Sequence, residues 1–522
     1  MMNLSILNHF TSHLPADTVT ENYVRKVFNS AYSFVNPTIP SNPSLIHVSE
    51  NVAKMLGFTT DFVNSKDFID YFSGKVVIPN AKPYAMAYAG HQFGNWAGQL
   101  GDGRAINLGE IIAQNQQYTL QLKGAGKTPY SRTADGLAVL RSSLREHLCS
   151  EAMHYLGIPT TRSLALFNTG DLVLRDMLYD GNPDYEQGAI VCRVAPSFIR
   201  FGNFELFASR NEKELLQQLV NYTVDTHFPE ITTQGVERVI QFFHAVMKKT
   251  LHLIIQWQRV GFVHGVMNTD NMSIHGITID YGPYGWLDHF NPTWTPNTTD
   301  RHERRYRYEN QPNSAVWNLI QLANALYMLV GDAKPFQDSI DNELKLFQQN
   351  VNEMWNSKLG IQHFENGDDK LTDRLHSLLY THEVDMTIFY RLLSDFKETD
   401  AIDIKVLDHF EKAFYNKDLV FEHKELWLQW FIDYSERLQK QGLDFSTKKR
   451  KMNEVNPKYV LRNYMSYLAI KDAEQQDYGL LNELFTMLTK PYDEQPEYNK
   501  WFTKIPHWAL EKVGSSMLSC SS

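Results

Sequence analysis

The sequence predicts an α+β fold of two lobes, strand-rich then helical, with an extension at each end. Three features predict it. Between residues 81 and 205 apolar residues alternate with polar ones over short runs punctuated by glycine, the period of strands. From about residue 212 apolar residues recur at three- and four-residue steps, the period of helices packed on a core. At 272–280 a short polar hairpin interrupts that helical pattern. The lobes fall at 81–205 and 206–420, with an N-terminal extension at 1–80 and a helical C-terminal extension at 421–522.

Residues 1–80 read as short elements broken by Pro and Asn, as in PTIPSNPS and VIPNAKP. The stretch GHQFGNWAGQLGDGRAINLGEII then predicts a strand, a glycine turn and a second strand. In QQYTLQLKG, Tyr118, Leu120 and Leu122 alternate with polar neighbours, a strand that ends on Lys123. Leu137, Leu140, Leu144, Leu148, Met153 and Leu156 predict a helix over 133–156, stopped by Gly157 and Pro159. Asp135, next to Gly136, lies where a carboxylate would cap that helix. Residues 172–178 and 188–196 read as strands again. VERVIQFFHAVMKKTLHLIIQWQRVGF is one long helix ending near Gly261. Beyond it, Met272-Ser-Ile and Ile277-Thr-Ile-Asp280 flank a His275-Gly276 turn. Residues 314–516 are mostly helical, SAVWNLIQLANALYMLV being one such run.

The 522 residues are 43% hydrophobic and 13% aromatic, enough for a large core and too apolar for a disordered chain. A formal net charge of -10 argues against general nucleic-acid binding, which wants a basic face. Three cysteines (Cys149, Cys192 and Cys520) are too few for a disulfide scaffold and suit a reducing compartment. The opening MMNLSILNHFTSHLPADT has no basic n-region and no long apolar run. No window approaches the roughly 18 apolar residues of a membrane span. A soluble cytoplasmic protein is expected.

The chemistry concentrates in His264-Gly-Val-Met-Asn-Thr-Asp-Asn271 and Asp280-Tyr-Gly282. A protein kinase uses H-R-D-x-x-x-x-N followed by D-F-G, the first Asp taking the substrate proton while Asn and the last Asp hold metal. His264 and Asn271 keep that spacing and Asp280 stands for the last Asp, but Val266 occupies the place of the base. Asp270 is the carboxylate within the loop able to replace it. Asn271 and Asp280 offer oxygen ligands suited to Mg²⁺ or Mn²⁺. Upstream, the glycines of Gly98-Gln-Leu-Gly101-Asp-Gly103-Arg104 let backbone N–H groups approach phosphate, though such turns are also purely structural. Lys123 follows about twenty residues later, where a kinase puts its phosphate-binding lysine. Glu146, in the next predicted helix, would hold that lysine over the phosphates, or else pair with a helix neighbour on the surface. Arg193 and Arg200 lie in an apolar segment and either clamp phosphate or find other partners. The order of these parts is that of a protein-kinase-like bilobal fold.

Four blocks carry a more specific resemblance: YAGHQFGNWAGQLGDGRAINLGE, LQLKGAGKTPYSRTADGLAVLRSSLREHLCSEAMHYLGIPTTRSLAL, VAPSFIRFGNFE and HGVMNTDNMSIHGITIDYGPYG. The chain resembles the selenoprotein O (SelO/YdiU) family of kinase-like protein adenylyltransferases over roughly residues 20–520. The resemblance implies that ATP binds in the sense opposite to a kinase, so that AMP passes to a protein hydroxyl and pyrophosphate leaves. It implies nucleotide contacts at Gly101, Gly103, Arg104, Lys123, Asp135, Gly136, Arg193 and Arg200, and a Lys123–Glu146 pair. It further implies metal at Asn271 and Asp280, and Asp270 as general base. UMP transfer from UTP is associated with the same family, and the sequence does not decide between the nucleotides.

The tail ends Ser-Met-Leu-Ser-Cys520-Ser-Ser, with cysteine where eukaryotic members of the resembled family carry selenocysteine. Cys520 is a candidate for exchange with a redox partner, or an inert tail residue. Some bacterial relatives pair the tail with a cysteine after the metal aspartate; the segment after Asp280 here has none. Cys149 and Cys192 read as core residues. The run Arg301, Arg304, Arg305, Arg307 either docks an acidic substrate segment or is solvated. A conventional phosphotransferase and a non-catalytic nucleotide-binding scaffold stay open as alternatives.

Overall fold

Polar residues recur at every second position within otherwise apolar strands of the first half, and the sheet they build carries them on one buried face. The computed structural model describes residues 4–177, 181–399 and 401–519. Its first strands are β1 (Tyr32–Phe34), β2 (Ser44–Val48), β3 (Tyr84–Met86), β4 (Ala89–Gln92), β5 (Asn95–Gln99), β6 (Ala105–Ala113), β7 (Gln116–Lys123), β8 (Arg162–Arg175) and β9 (Asp184–Ala195). Seven of them form one antiparallel sheet in the order β1-β3-β6-β7-β9-β8-β2. Strands β4 and β5 form a separate two-stranded sheet with each other.

Leu120 and Leu122 of β7 are fully buried, and period-2 geometry sends Gln121 and Lys123 to the opposite face. Register then aligns Asn107 of β6, Gln121 of β7 and Arg193 of β9 side by side. Gln121 donates to Asn107 Oδ1 at 3.0 Å and accepts from Arg193 Nη2, so the row is hydrogen-bonded across three strands.

The first 80 residues supply both outer strands of this sheet, β1 and β2. They also form four short helices, α1 (His9–His13), α2 (Glu50–Met55), α3 (Thr60–Val63) and α4 (Lys66–Phe72). Ser49, Thr59 and Ser65 cap the last three through side-chain oxygens.

Helix α5 spans Leu140–Tyr155 and starts later than the periodicity predicts. Residues before it are extended: Leu137 bridges Ala125 and Val139 bridges Gly188. Asp135 is therefore not its cap; its carboxylate accepts from Leu137 N–H at 3.0 Å and pairs with Arg175. The helix is buried on nearly every side, between β8 and β9 and two helices of the C-terminal region. That enclosure accounts for its buried Arg141, Arg145 and Glu146, which point into polar networks rather than solvent.

The second half is helical. It opens with α6 (Phe201–Ser209), α7 (Lys213–His227) and α8 (Gly235–Val260), which Gly261 ends in the left-handed conformation at φ 74°. Two-residue strands β10 (Phe262–Val263) and β11 (Gly285–Trp286) pair across the loop that follows. Helix α9 (Gln311–Val330) covers the predicted SAVWNLIQLANALYMLV run, and further helices continue to Leu488. One hydrophobic cluster runs through both halves.

The expected hairpin at 272–280 is a turn without paired arms. Gly276 N–H closes onto Ser273 O at 3.1 Å, but Ser273 bridges Arg200 and Thr278 bridges Thr160. Each arm thus finds its backbone partner in the sheet-bearing half, which docks this segment between the two halves. No helix among the described residues is long and apolar enough to cross a membrane. Cys149 and Cys192 are buried free thiols, whereas Cys520 lies outside the described residues.

Candidate active site

Lys123 ends β7 because the strand's alternation runs out there, and its side chain emerges on the polar face of the sheet. Glu146 reaches the same point from α5, with Oε2 2.7 Å from Lys123 Nζ. Arg193 comes from β9 and donates to Glu146 Oε1 at 2.9 Å. Lys123 and Arg193, joined by Arg200, meet Asp280, delivered by the turn that joins the two halves. Asp280 Oδ1 lies 3.2 Å from Lys123 Nζ and 2.6 Å from Arg193 Nη1, and Oδ2 lies 2.6 Å from Arg200 Nη1.

Arg200, at the start of α6, also donates to the backbone carbonyl of Asp270 at 2.8 Å and sits over the Tyr88 ring at 4.5 Å. Asp102, between Gly101 and Gly103, approaches Arg200 at 4.0 Å and accepts from Met86 N–H and Asn107 Nδ2. Three buried cations and three carboxylates thus share one small volume, a charge balance that makes the burial tolerable.

The electrostatics follow from these contacts. Burial alone would raise Asp280, but Lys123, Arg193 and Arg200 hold its carboxyl well below the usual range. Burial lowers Lys123 against the opposing pull of Glu146 and Asp280. Asp102 is pushed up by burial, with Arg200 opposing. Asp270 is pushed up to about 7 by burial, with Arg200 and a hydrogen bond from Gln92 opposing. A carboxyl near neutrality is the property a general base at physiological pH requires.

The loop carrying Asp270 and Asn271 is fixed from within. His264 Nε2 is 2.9 Å from Ile279 O, and Val266 N–H donates to His264 Nδ1 at 3.3 Å, which makes Nε2 the protonated nitrogen. Asn271 donates its amide to Val266 O at 2.9 Å, which leaves its side-chain oxygen for another partner. Asp280 adopts φ 57°, a left-handed conformation that Asp tolerates better than most residues and that turns its carboxylate onto the three cations.

Six of the sequence-selected residues therefore converge: Lys123, Glu146, Arg193, Arg200, Asp280 and Asp270. Arg104 joins at their edge, close enough to depress Lys123, while its carbonyl accepts from Gly124 N–H at 2.7 Å. Asp135 is committed to Arg175, and a Cβ at Gly136 would stand 2.2 Å from Gly126 O, so that glycine is needed for loop packing. Gly101 and Gly103 are likewise set by packing: added Cβ atoms would meet the Tyr130 ring at 2.4 Å and its carbonyl at 2.9 Å. Sequence reasoning missed Asp102, Gln121, Tyr88 and Gln92. The signal for Gln121 was a polar residue at an alternate position in an apolar strand, and for Asp102 its place inside the glycine turn; Tyr88 and Gln92 carried none.

A family model described as Protein adenylyltransferase SelO matches residues 17–489. The chain belongs to the SelO family. It is similar to a protein of Flavobacterium johnsoniae named Protein nucleotidyltransferase YdiU, 57% identical over 523 residues that cover 100% of both chains. A protein of the same name from Rhodopirellula baltica is 50% identical over 537 residues, 100% of this chain and 99% of its own. One from Aromatoleum aromaticum is 50% identical over 529 residues, covering 100% of both. As a SelO-family member the chain is an enzyme, a protein nucleotidyltransferase, whose substrates are a nucleotide and protein targets.

Proposed function

We propose that this SelO-family enzyme moves AMP from ATP to Ser, Thr or Tyr hydroxyls of proteins, in a kinase-like bilobal frame. Its lobes are residues 81–205 and 206–420, flanked by extensions at 1–80 and 421–522. The observation that carries the reading is the convergence of Lys123, Arg193 and Arg200 on one carboxylate, with Asp270 beside them and Val266 where a kinase would keep its base. Three fixed cations in a low-dielectric site suit a triphosphate, and they are held before substrate arrives.

In this reading Lys123, Arg193, Arg200 and Arg104 bind the phosphates, with the turn through Gly101 and Gly103 and the Asp135-Gly136 loop bordering the nucleotide. Glu146 orients Lys123 and Arg193. Asp270 accepts the proton of the acceptor hydroxyl. The hydroxyl oxygen bonds to the α-phosphorus, the bond from that phosphorus to the bridging oxygen breaks, and pyrophosphate departs with the electron pair. Asn271 and Asp280 would hold Mg²⁺ or Mn²⁺; their hard oxygen donors, few in number, fit an ion that takes its remaining ligands from phosphate and water. The ion supplies neutralisation of phosphate charge. UTP is a second donor on the same logic, because the contacts described are to phosphates and not to a base. Free buried thiols suit work in the reducing cytoplasm, and Cys520 is the residue through which a redox partner would act.

The test is incubation of the full chain with Mg²⁺ or Mn²⁺ and ATP labelled at the α or the γ phosphorus, with protein acceptors present. Label from the α position on protein, competed by UTP to the extent that UTP is also used, supports the reading. Label only from the γ position makes the enzyme a kinase and overturns it. ATP binding with neither label transferred leaves a nucleotide-binding scaffold.

A further inference from the structure

Asp270 is covered. It retains 8% exposure, and its Oδ1 is buried without a hydrogen-bond partner among the described residues. Lone acceptors of this kind are costly to leave unmade. The cover is the β4–β5 hairpin, which stands apart from the seven-stranded sheet. Gly90 lies so close that an added Cβ would be 2.9 Å from Asp270 Oδ1, and Gln92 Nε2 donates to Oδ2 at 3.3 Å.

The hairpin is latched at its tip and anchored at its base. Phe93 and Gly94 form a two-residue turn with φ 51° and 83°, the positive pair a tight hairpin needs. Phe93 N–H donates to Asn268 Oδ1 and to Tyr306 OH, both at 3.1 Å, and the Phe93 and Tyr306 rings lie 5.4 Å apart. Along the arm, His91 N–H donates to Thr269 Oγ1 at 2.7 Å. At the base, the Ala89 carbonyl packs directly on Gly202 of α6. Gly98, at φ 72° with open space around it, offers a flexible point on the returning strand.

We propose that the β4–β5 hairpin is the gate through which the acceptor hydroxyl reaches Asp270, with Gln92 as the positioning residue that closes it on the carboxylate. The inference rests on Asp270 as the base of the proposed transfer. An incoming hydroxyl has to replace the Gln92 amide or enter beside Gly90, and either requires the tip to leave Asn268 and Tyr306. A lone two-stranded hairpin is marginally stable by itself, so a few polar contacts at its tip decide its position.

The test needs no nucleotide. The full chain is treated with a water-soluble carbodiimide and an amine, labelling of Asp270 is followed by peptide mass spectrometry, and backbone exchange of residues 89–99 is measured alongside. Tyr306→Phe removes one of the two tip hydrogen bonds, and Gly90→Ala wedges the arm off Asp270. Both are expected to raise Asp270 labelling and 89–99 exchange by about tenfold over wild type, the population change that follows loss of one hydrogen bond. Cooperative melting of each variant shows that it is folded. Wild-type Asp270 labelled as fast as an exposed carboxyl, or both variants labelled at the wild-type rate, would overturn the gate. Labelling that rises as expected in an enzyme that transfers no AMP would leave the gate standing and refute the proposed reaction instead.

Discussion

Replacing Asp280 with Asn should destabilise the fold as well as stop the reaction. A residue whose only task is to hold metal is usually a burden in the metal-free protein, and its removal leaves stability unchanged or improved. Asp280 is different because three buried cations touch its carboxylate at 2.6, 2.6 and 3.2 Å. At an effective dielectric of about 20 each contact is worth about 5–6 kcal/mol of gross attraction. Desolvation of the four groups and repulsion among the cations offset most of that, and breaking a buried charge cluster by removing one partner costs about 3–5 kcal/mol net. Asp280→Asn is therefore expected to lose about 3–5 kcal/mol in denaturant unfolding of the metal-free protein. Metal-free ATP should recover part of the loss, since its phosphates offer the cations new partners. An Asp280→Asn protein as stable as wild type without metal would refute the reasoning, because the three cations would then not depend on that carboxylate.

Lys123→Met should lower nucleotidyl transfer by two to three orders of magnitude, the usual effect of losing one preorganised cation, while circular dichroism stays that of wild type. Transfer should fall as pH drops through about 7, because Asp270, raised to about 7 by burial, must be unprotonated to accept the acceptor's proton; a rate–pH profile at saturating substrates reads this. A separate pH effect arises at a histidine pair outside the charge cluster, where His47 Nδ1 and His147 Nε2 are 2.8 Å apart. Burial pulls His47 down to about 4 and His147 well below its usual value, so the unfolded chain binds more protons than the folded one. The stability due to their neutral forms is complete above about 6.5 and declines as pH falls toward 4, by about 3 kcal/mol for His47; thermal melts between pH 7 and 4.5 test the sign.

Much of the site was legible because its residues break local rules. Lys123 at the end of an apolar strand, Glu146 inside an apolar helix, and Arg193 and Arg200 in an apolar segment are each costly alone, and cost of that kind points to partners. Local pattern failed where tertiary contacts decided the outcome. The leucine period over 133–156 is real, but Leu137 and Val139 were taken by pairing with Ala125 and Gly188. The Ile277–Ile279 arm alternates like a strand, yet its partner is Thr160 and not the other arm. The hairpin over Asp270 was invisible because Gly90 and Gln92 have meaning only against a loop nearly 180 residues away, as the Gln92–Asp270 separation of 178 shows.

The two outer strands of the sheet both come from the first 80 residues, which changes the meaning of that segment during synthesis. Strand β1 meets β3 after about fifty residues, but β2 waits for β8, where Ser44 pairs with Asn168. Until β8 has been made, β2 is an apolar strand with no neighbour, and the order of assembly is fixed by the slower, long-range closure. A shortened chain beginning at residue 81 would keep the cation cluster yet present β3 and β8 as bare strand edges. It would therefore be prone to pair with copies of itself before it could ever bind a nucleotide.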